Sequence, residues 1–149
     1  MNAFNYLFQN TSHLKKPFLI GKEQISFKDL YASSLELATW IREEYGEGKN
    51  ILLLSVNNLF FLKVYLAVIK SGNICVPLDP AIERDNFRYI AKLTGPDVIF
   101  LTENIKRRLQ VDSYNCLGPE DVEKQRPLSG DEMEDVPLLG VEPDFDEEK

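Results

Sequence analysis

The sequence predicts an α/β domain in which a largely parallel sheet is layered between helices. Three observations carry this. Ile51 to Val56 (ILLLSV) and Val98 to Leu101 (VIFL) are continuous apolar runs, the pattern of strands buried on both faces. The segments between such runs place apolar residues at helical spacing. The resulting order of strand, helix, strand, helix, strand is that of crossover connections in a parallel sheet.

Each element has its own signal. Phe4, Leu7 and Phe8 fall at helical spacing within Ala3 to Gln9, which predicts a short docking helix. Phe18-Leu19-Ile20 and Ile25-Ser26-Phe27 are short apolar runs separated by Gly21-Lys22-Glu23-Gln24, which predicts a small hairpin. From Ser26 or Lys28, a long helix runs to about Tyr45. Its stripe is Leu30, Leu37, Ala38, Ile41 and Tyr45, and Gly46 stops it. After the Ile51 strand, Asn57 is a candidate cap for a helix over about Asn58 to Ser71. That helix is apolar nearly all round, which predicts deep burial, and Gly72 ends it. Ile74-Cys75-Val76 reads as a strand closed by Pro77. Glu83 to Leu93 reads as a helix with Phe87, Ile90 and Ala91 inward, stopped at Gly95-Pro96. After the Val98 strand, Ile105 to Leu109 reads as a brief helix.

Composition divides the chain. The net charge is −7, but residues 1–118 carry 14 basic and 12 acidic side chains, whereas residues 119–149 carry 3 and 12. The body is therefore nearly neutral. Residues 1–118 read as the α/β domain and 119–149 as an acidic, proline-containing linker, in which Val136-Pro137-Leu138-Leu139 is a candidate edge strand. No basic stripe suggests a nucleic-acid partner. The most apolar segment, Leu59 to Ile69, is interrupted by Lys63 and closed by Lys70, so it does not suit a bilayer span of about 20 residues. The first residues lack a basic leader and a clean apolar stretch, so a cytoplasmic location is expected and no membrane partner.

Few residues point to chemistry. His13 is the only histidine, and it sits in a polar connector beside Lys15 and Lys16. It is expected on the surface, since one histidine cannot build a histidine-based metal site. Cys75 and Cys116 lie among apolar neighbours and are expected to be buried, reduced thiols. Gly46-Glu47-Gly48-Lys49 precedes a strand and lacks the spacing of a phosphate cradle, so it reads as a turn. Lys63 is expected to snorkel from its helix edge. No catalytic, cofactor-binding or metal-ligating residue is assigned.

One segment is more specific. Ile69 to Pro80 (IKSGNICVPLDP) resembles the second core motif of the adenylate-forming, or AMP-binding, enzyme superfamily, with Lys70, Gly72, Val76, Pro77, Leu78, Asp79 and Pro80 in place. Ser71 stands where alanine is usual. Ile25 to Leu30 (ISFKDL), Ile51 to Leu66 and Phe87 to Glu103 resemble further family segments in the same order, so the resemblance covers about Ile25 to Glu103. The motif residues are expected to be mainly structural, with Asp79 bonding backbone N–H groups between Pro77 and Pro80.

The resemblance implies the N-terminal subdomain of an acyl-CoA synthetase or peptide-synthetase adenylation domain. Such enzymes use ATP and magnesium to convert a small carboxylic acid to an acyl-adenylate. They then pass the acyl group to the thiol of coenzyme A or phosphopantetheine. The family's serine/threonine/glycine-rich ATP-phosphate loop is expected beyond Lys149, so the fragment itself is expected to be inactive, with the remainder of the parent ligase as its partner. The alternative expectation is a complete, non-catalytic interaction module whose acidic tail meets a basic partner. A face left bare of its covering half is expected to favour a homodimer.

Overall fold

The computed structural model describes residues 3–9, 17–20 and 23–124. His13, the candidate strand at Val136 to Leu139 and most of the acidic segment lie outside them. The expected architecture is present. Among the described residues, four parallel strands form one sheet in the order β4-β3-β5-β6, with helices on both faces.

The chain begins with α1 (Ala3–Phe8), whose Phe4 and Phe8 are buried. The expected hairpin follows as antiparallel β1 (Pro17–Ile20) and β2 (Glu23–Ser26), with Ile20 paired to Glu23. β2 thus starts two residues before the apolar run, because main-chain pairing continues past the hydrophobic pattern. Ser26 then caps α2 (Phe27–Tyr45), its hydroxyl accepting the Asp29 N–H at 3.0 Å. At the other end Gly46 adopts φ +83°, a conformation that L side chains rarely take, and donates to the Arg42 carbonyl.

The buried face of α2 is wider than the predicted stripe. Leu30 and Leu35 pack with Phe4, Phe8 and Leu66, whereas Leu37, Ala38 and Ile41 pack on the sheet. The helix therefore bridges two apolar clusters. This also buries Ser34 and Glu36, while Tyr45 is only half-buried.

β3 (Asn50–Leu54) is the centre of the sheet, and Ile51 to Leu54 are all fully buried. α3 (Leu59–Lys70) follows. Its cap is Asn58 rather than Asn57: the Asn58 side chain accepts the Phe61 N–H at 2.9 Å. The backbone decides this, because Asn58 is the last extended residue and its oxygen reaches the free N–H three positions on. β4 (Ile74–Leu78) pairs with β3 from Asn50↔Ile74 to Leu54↔Leu78. Pro77 therefore lies inside the strand instead of closing it. β4 is an edge strand, where a missing N–H need not cost a ladder bond.

The chain then crosses to the other side of β3. α4 (Arg84–Thr94) buries Phe87 and Ala91 and ends at Gly95, φ +57°. β5 (Val98–Leu101) pairs with β3, and α5 (Glu103–Leu109) follows at once. β6 (Cys116–Leu117) and α6 (Pro119–Lys124) were not anticipated. A two-residue strand carries no periodicity to read, and α6 falls in the segment expected to be linker.

The two turns that precede β3 and β4 are tied by one side chain. Asn73, nearly buried, accepts the Lys49 N–H at 2.8 Å and donates to the Gly46 carbonyl and the Ser71 hydroxyl, each at 2.9 Å. Gly48 N–H adds a bond to the Gly72 carbonyl. The strands are thereby set in register before their ladder begins. Asn73→Ala removes the partner of a main-chain N–H and of a carbonyl at a part-buried site, and should destabilise the chain by about 1–2 kcal/mol. Urea denaturation checks this; a change below about 0.5 kcal/mol would show that water replaces the amide.

Candidate functional site

The motif segment forms the end of α3, a tight turn, the edge strand and the turn beyond it. Lys70 is the last residue of α3 and is 4% exposed; its Nζ stands 5.4 Å from the centre of the Phe4 ring. That cation–π contact joins α3 to α1. The Ser71 hydroxyl donates to Val68 O, and Arg42 Nε donates to Ser71 O at 3.2 Å. Gly72 has φ +85°, which favours glycine there.

Val76, Pro77 and Leu78 align with Leu52, Leu53 and Leu54 of β3. Asp79 then builds the exit turn: its Oδ1 accepts the Ala81 N–H and its carbonyl the Ile82 N–H, both at 2.9 Å. Arg108 of α5 secures the far side of this turn, donating to Ile82 O at 2.8 Å and also to Pro80 O. The seven motif residues thus occupy one continuous path from the base of the sheet to its carboxyl edge. Asn73 and Arg108, which hold that path in place, were not singled out in the sequence. Asn73 falls among the motif's variable positions, and Arg108 is 28 residues beyond Pro80.

The sheet has a topological switch. β3 leads through α3 to β4 on one side, while β5 lies on the other side of β3 and leads through α5 to β6. In open α/β sheets the crevice outside the carboxyl ends at such a switch is the usual ligand site. Here it is bounded by Ser55 to Asn58 after β3 and by Thr102 and Glu103 after β5. The Ser55 hydroxyl is buried and spans Val56 O and Asn58 Oδ1, which fixes the β3 exit.

A cleft of about 440 Å³ opens beside the switch, at the carboxyl ends of β5 and β6. Thr102, Glu103, Lys106, Cys116, Gly118 and Asp121 are among its walls. Gly118 lies close to main chain: a Cβ there would stand 3.1 Å from the Leu101 carbonyl oxygen, a contact that a small shift would have to relieve. A smaller cleft of about 190 Å³ lies between α2 and the end of α3, beside Thr39, Arg42, Lys70 and Ser71.

Neither cysteine is set up as a nucleophile. Both are free and half-buried rather than fully enclosed. Burial pushes the Cys75 thiol up to about 12. Burial also raises Cys116, to about 11, with Lys106 opposing the shift and Asp112 adding to it. Both remain neutral thiols at pH 7. The Gly46–Lys49 turn is not a phosphate cradle either. Its Gly46, Gly48 and Lys49 N–H groups donate to Arg42 O, Gly72 O and Asn73 Oδ1. Lys63 lies largely buried at the α3 edge with its Nζ 4.0 Å from Glu123. Among the described residues, no helix is long and apolar enough to cross a membrane.

Comparison with known proteins agrees with this geometry. The model of the AMP-binding enzyme family matches residues 8–147. Nonribosomal peptide synthetase otaB of Aspergillus niger is 26% identical over 98 residues, covering 64% of this chain and 5% of the synthetase. Bacitracin synthase 3 of Bacillus licheniformis is 28% identical over 97 residues, covering 64% of this chain and 2% of the synthase. The chain therefore spans a small part of the curated relatives it matches. The crystal structure of ATP-bound MatB from Rhodopseudomonas palustris superposes with a TM-score of 0.67 at 19% identity, over 85% of this chain and 28% of that one. At that identity the likeness establishes the fold.

The raised thiols make stability depend on alkaline pH. Above an ordinary thiol value of 9.0 the unfolded chain loses these protons, while the folded chain keeps them until about 11 for Cys116 and about 12 for Cys75. The folded state then binds more protons, so stability falls as pH rises. Urea denaturation should give a lower unfolding free energy at pH 10.5 than at pH 8. The decline should be shallower in the Cys75→Ala variant than in the parent chain, and equal slopes would contradict this account.

Proposed function

The chain belongs to the AMP-binding enzyme family, and from this premise we propose that it is the amino-terminal subdomain of an AMP-forming acid–thiol ligase acting in the cytoplasm. In this reading the parent enzyme activates a small carboxylic acid with ATP and magnesium, releases pyrophosphate, and passes the acyl group to coenzyme A or to a carrier's phosphopantetheine. The observation that carries the reading is the Lys70–Pro80 path. A motif characteristic of acid-activating enzymes runs along the edge strand and ends in a braced turn at the carboxyl edge of a parallel sheet, within a family match that spans nearly the whole chain.

In this reading the nucleotide site lies in the remainder of the parent protein. In support, the Gly46, Gly48 and Lys49 N–H groups of the glycine-containing turn are already committed to main-chain and side-chain acceptors. In this reading the chain has a supporting role. It supplies one wall of the fold and a fixed sheet edge, and the remainder of the parent protein supplies the phosphate loop, the acyl pocket and the catalytic groups.

Carboxylate-dependent ATP–pyrophosphate exchange tests this. The 149-residue polypeptide, offered a panel of amino and fatty acids, should show no exchange above the blank. The reading frame beyond Lys149 should encode a serine/threonine/glycine-rich loop with a lysine, and the polypeptide extended to the end of that frame should exchange. Activity from the pure 149-residue chain would refute its supporting role. A stop codon directly after Lys149 would instead favour a non-catalytic module that uses its acidic segment to meet a basic partner.

A further inference from the structure

α4 and α5 lie side by side on one face of the sheet and together carry six basic side chains against two acidic ones, Asp85 and Glu103. Glu103 is already paired, 3.7 Å from Arg107 of its own helix. Arg84, Arg88 and Lys92 of α4 are exposed and, among the described residues, enter no ion pair. Between these cations stand two apolar side chains left in solvent, Tyr89 at 69% and Leu93 at 71% exposure. Residues four apart on a helix are surface neighbours, so the two form one apolar strip. The surface is an apolar strip set in uncompensated positive charge, and a copy of itself would meet it with like charge.

The same chain holds the complement. Residues 131–148 carry nine acidic side chains and no basic one, and in their midst is the apolar run Val136-Pro137-Leu138-Leu139. We propose that this acidic segment docks on the α4–α5 face of its own chain. Val136 to Leu139 lie against Tyr89 and Leu93, and the carboxylates on either side meet the cations of the two helices.

Reach permits this. α6 ends at Lys124 beside β6, an edge strand, with Val122 packed on the α2–α3 side of the sheet. α5 packs on the other side of that same edge, against Cys116 of β6. Rounding the edge from α6 to the outer surface of α5 takes about 30 Å, the depth of one sheet and its helix layers. Residues 125–135 span up to about 36–40 Å when extended. Tethering also favours this occupant over a separate acidic partner, because a short linker holds the segment at an effective concentration on the order of millimolar. Docking here does not depend on the catalytic reading, and the exchange assay leaves it untouched.

Zero-length carbodiimide coupling of the full 149-residue chain at micromolar concentration, mapped by mass spectrometry, tests the proposal. The reference amine is Lys28 of α2, exposed and on the opposite side of the sheet. In the monomer band, Lys92 and Lys106 should form amide links to carboxylates of residues 131–148 about fivefold more often than Lys28, and roughly 0.5 M salt should remove that excess. Arg84→Glu/Arg88→Glu should lower the yield at Lys92 about tenfold with unchanged circular dichroism, because both side chains are exposed. Leu138→Asp/Leu139→Asp should lower it as well, although it adds negative charge, because the apolar contact is lost. Links at Lys92 and Lys106 no more frequent than at Lys28, or found only between chains, would overturn the proposal and leave the face to an acidic partner outside this chain. A Leu138→Asp/Leu139→Asp variant that links as well as the parent would overturn it too.

Discussion

The burial of β3 on both faces is the constraint on which this structure rests. Ile51, Leu52, Leu53 and Leu54 are all inaccessible to solvent. Side chains of a strand alternate between faces, so this one strand feeds two separate cores. Ile51 and Leu53, with Val98 and Phe100 of β5, meet α2 and α3. Leu52 and Leu54, with Ile99 and Leu101, meet the α4 and α5 side. Leaving either face wet would cost roughly 1.5–3 kcal/mol for each exposed side chain. Helices are therefore needed above and below, and an α/β layered fold follows. The backbone of β3 is committed as well, paired on one side to β4 and on the other to β5.

That arrangement determines where the motif can act. Because β4 and β5 flank β3 in parallel, their carboxyl ends emerge on one edge of the sheet. The Asp79–Ile82 turn, the Ser55–Asn58 exit and the cleft beside β6 all lie along that edge. The amino edge has a different task. There Asn73, Arg42 and the turns at Gly46 and Gly72 lock the starts of β3 and β4 together through internal hydrogen bonds. The carboxyl edge is braced as well, by Asp79, Arg108 and Ser55, and the larger cleft opens there.

Local chemistry was readable where one residue type has few alternatives. The glycines at positions 46, 72 and 95 were identified as helix stops, and each adopts a positive φ. The aspartate of the motif was expected to bond main-chain N–H groups in a turn, and its carboxylate accepts that of Ala81. Legibility failed where two neighbours share a propensity. Asn57 and Asn58 are equally good caps by type, and the backbone chose the second. Pro77 looks like the end of a strand until one knows that β4 lies at the edge.

The sequence by itself determined the class of fold, the order of its main elements and the family to which the chain belongs. These depend on periodicity, on punctuation by glycine and proline, and on a motif, all of which are properties of residues close together in the chain. The tertiary structure decided the strand order β4-β3-β5-β6, the pairing of β6 and the double burial of α2. It also decided which side chains hold the motif in place. Arg108 reaches Pro80 and Ile82 from α5, and Asn73 reaches back to Gly46 and Lys49. Such contacts join residues that are distant along the chain, and their partners are set only when hydrophobic burial has brought the layers together.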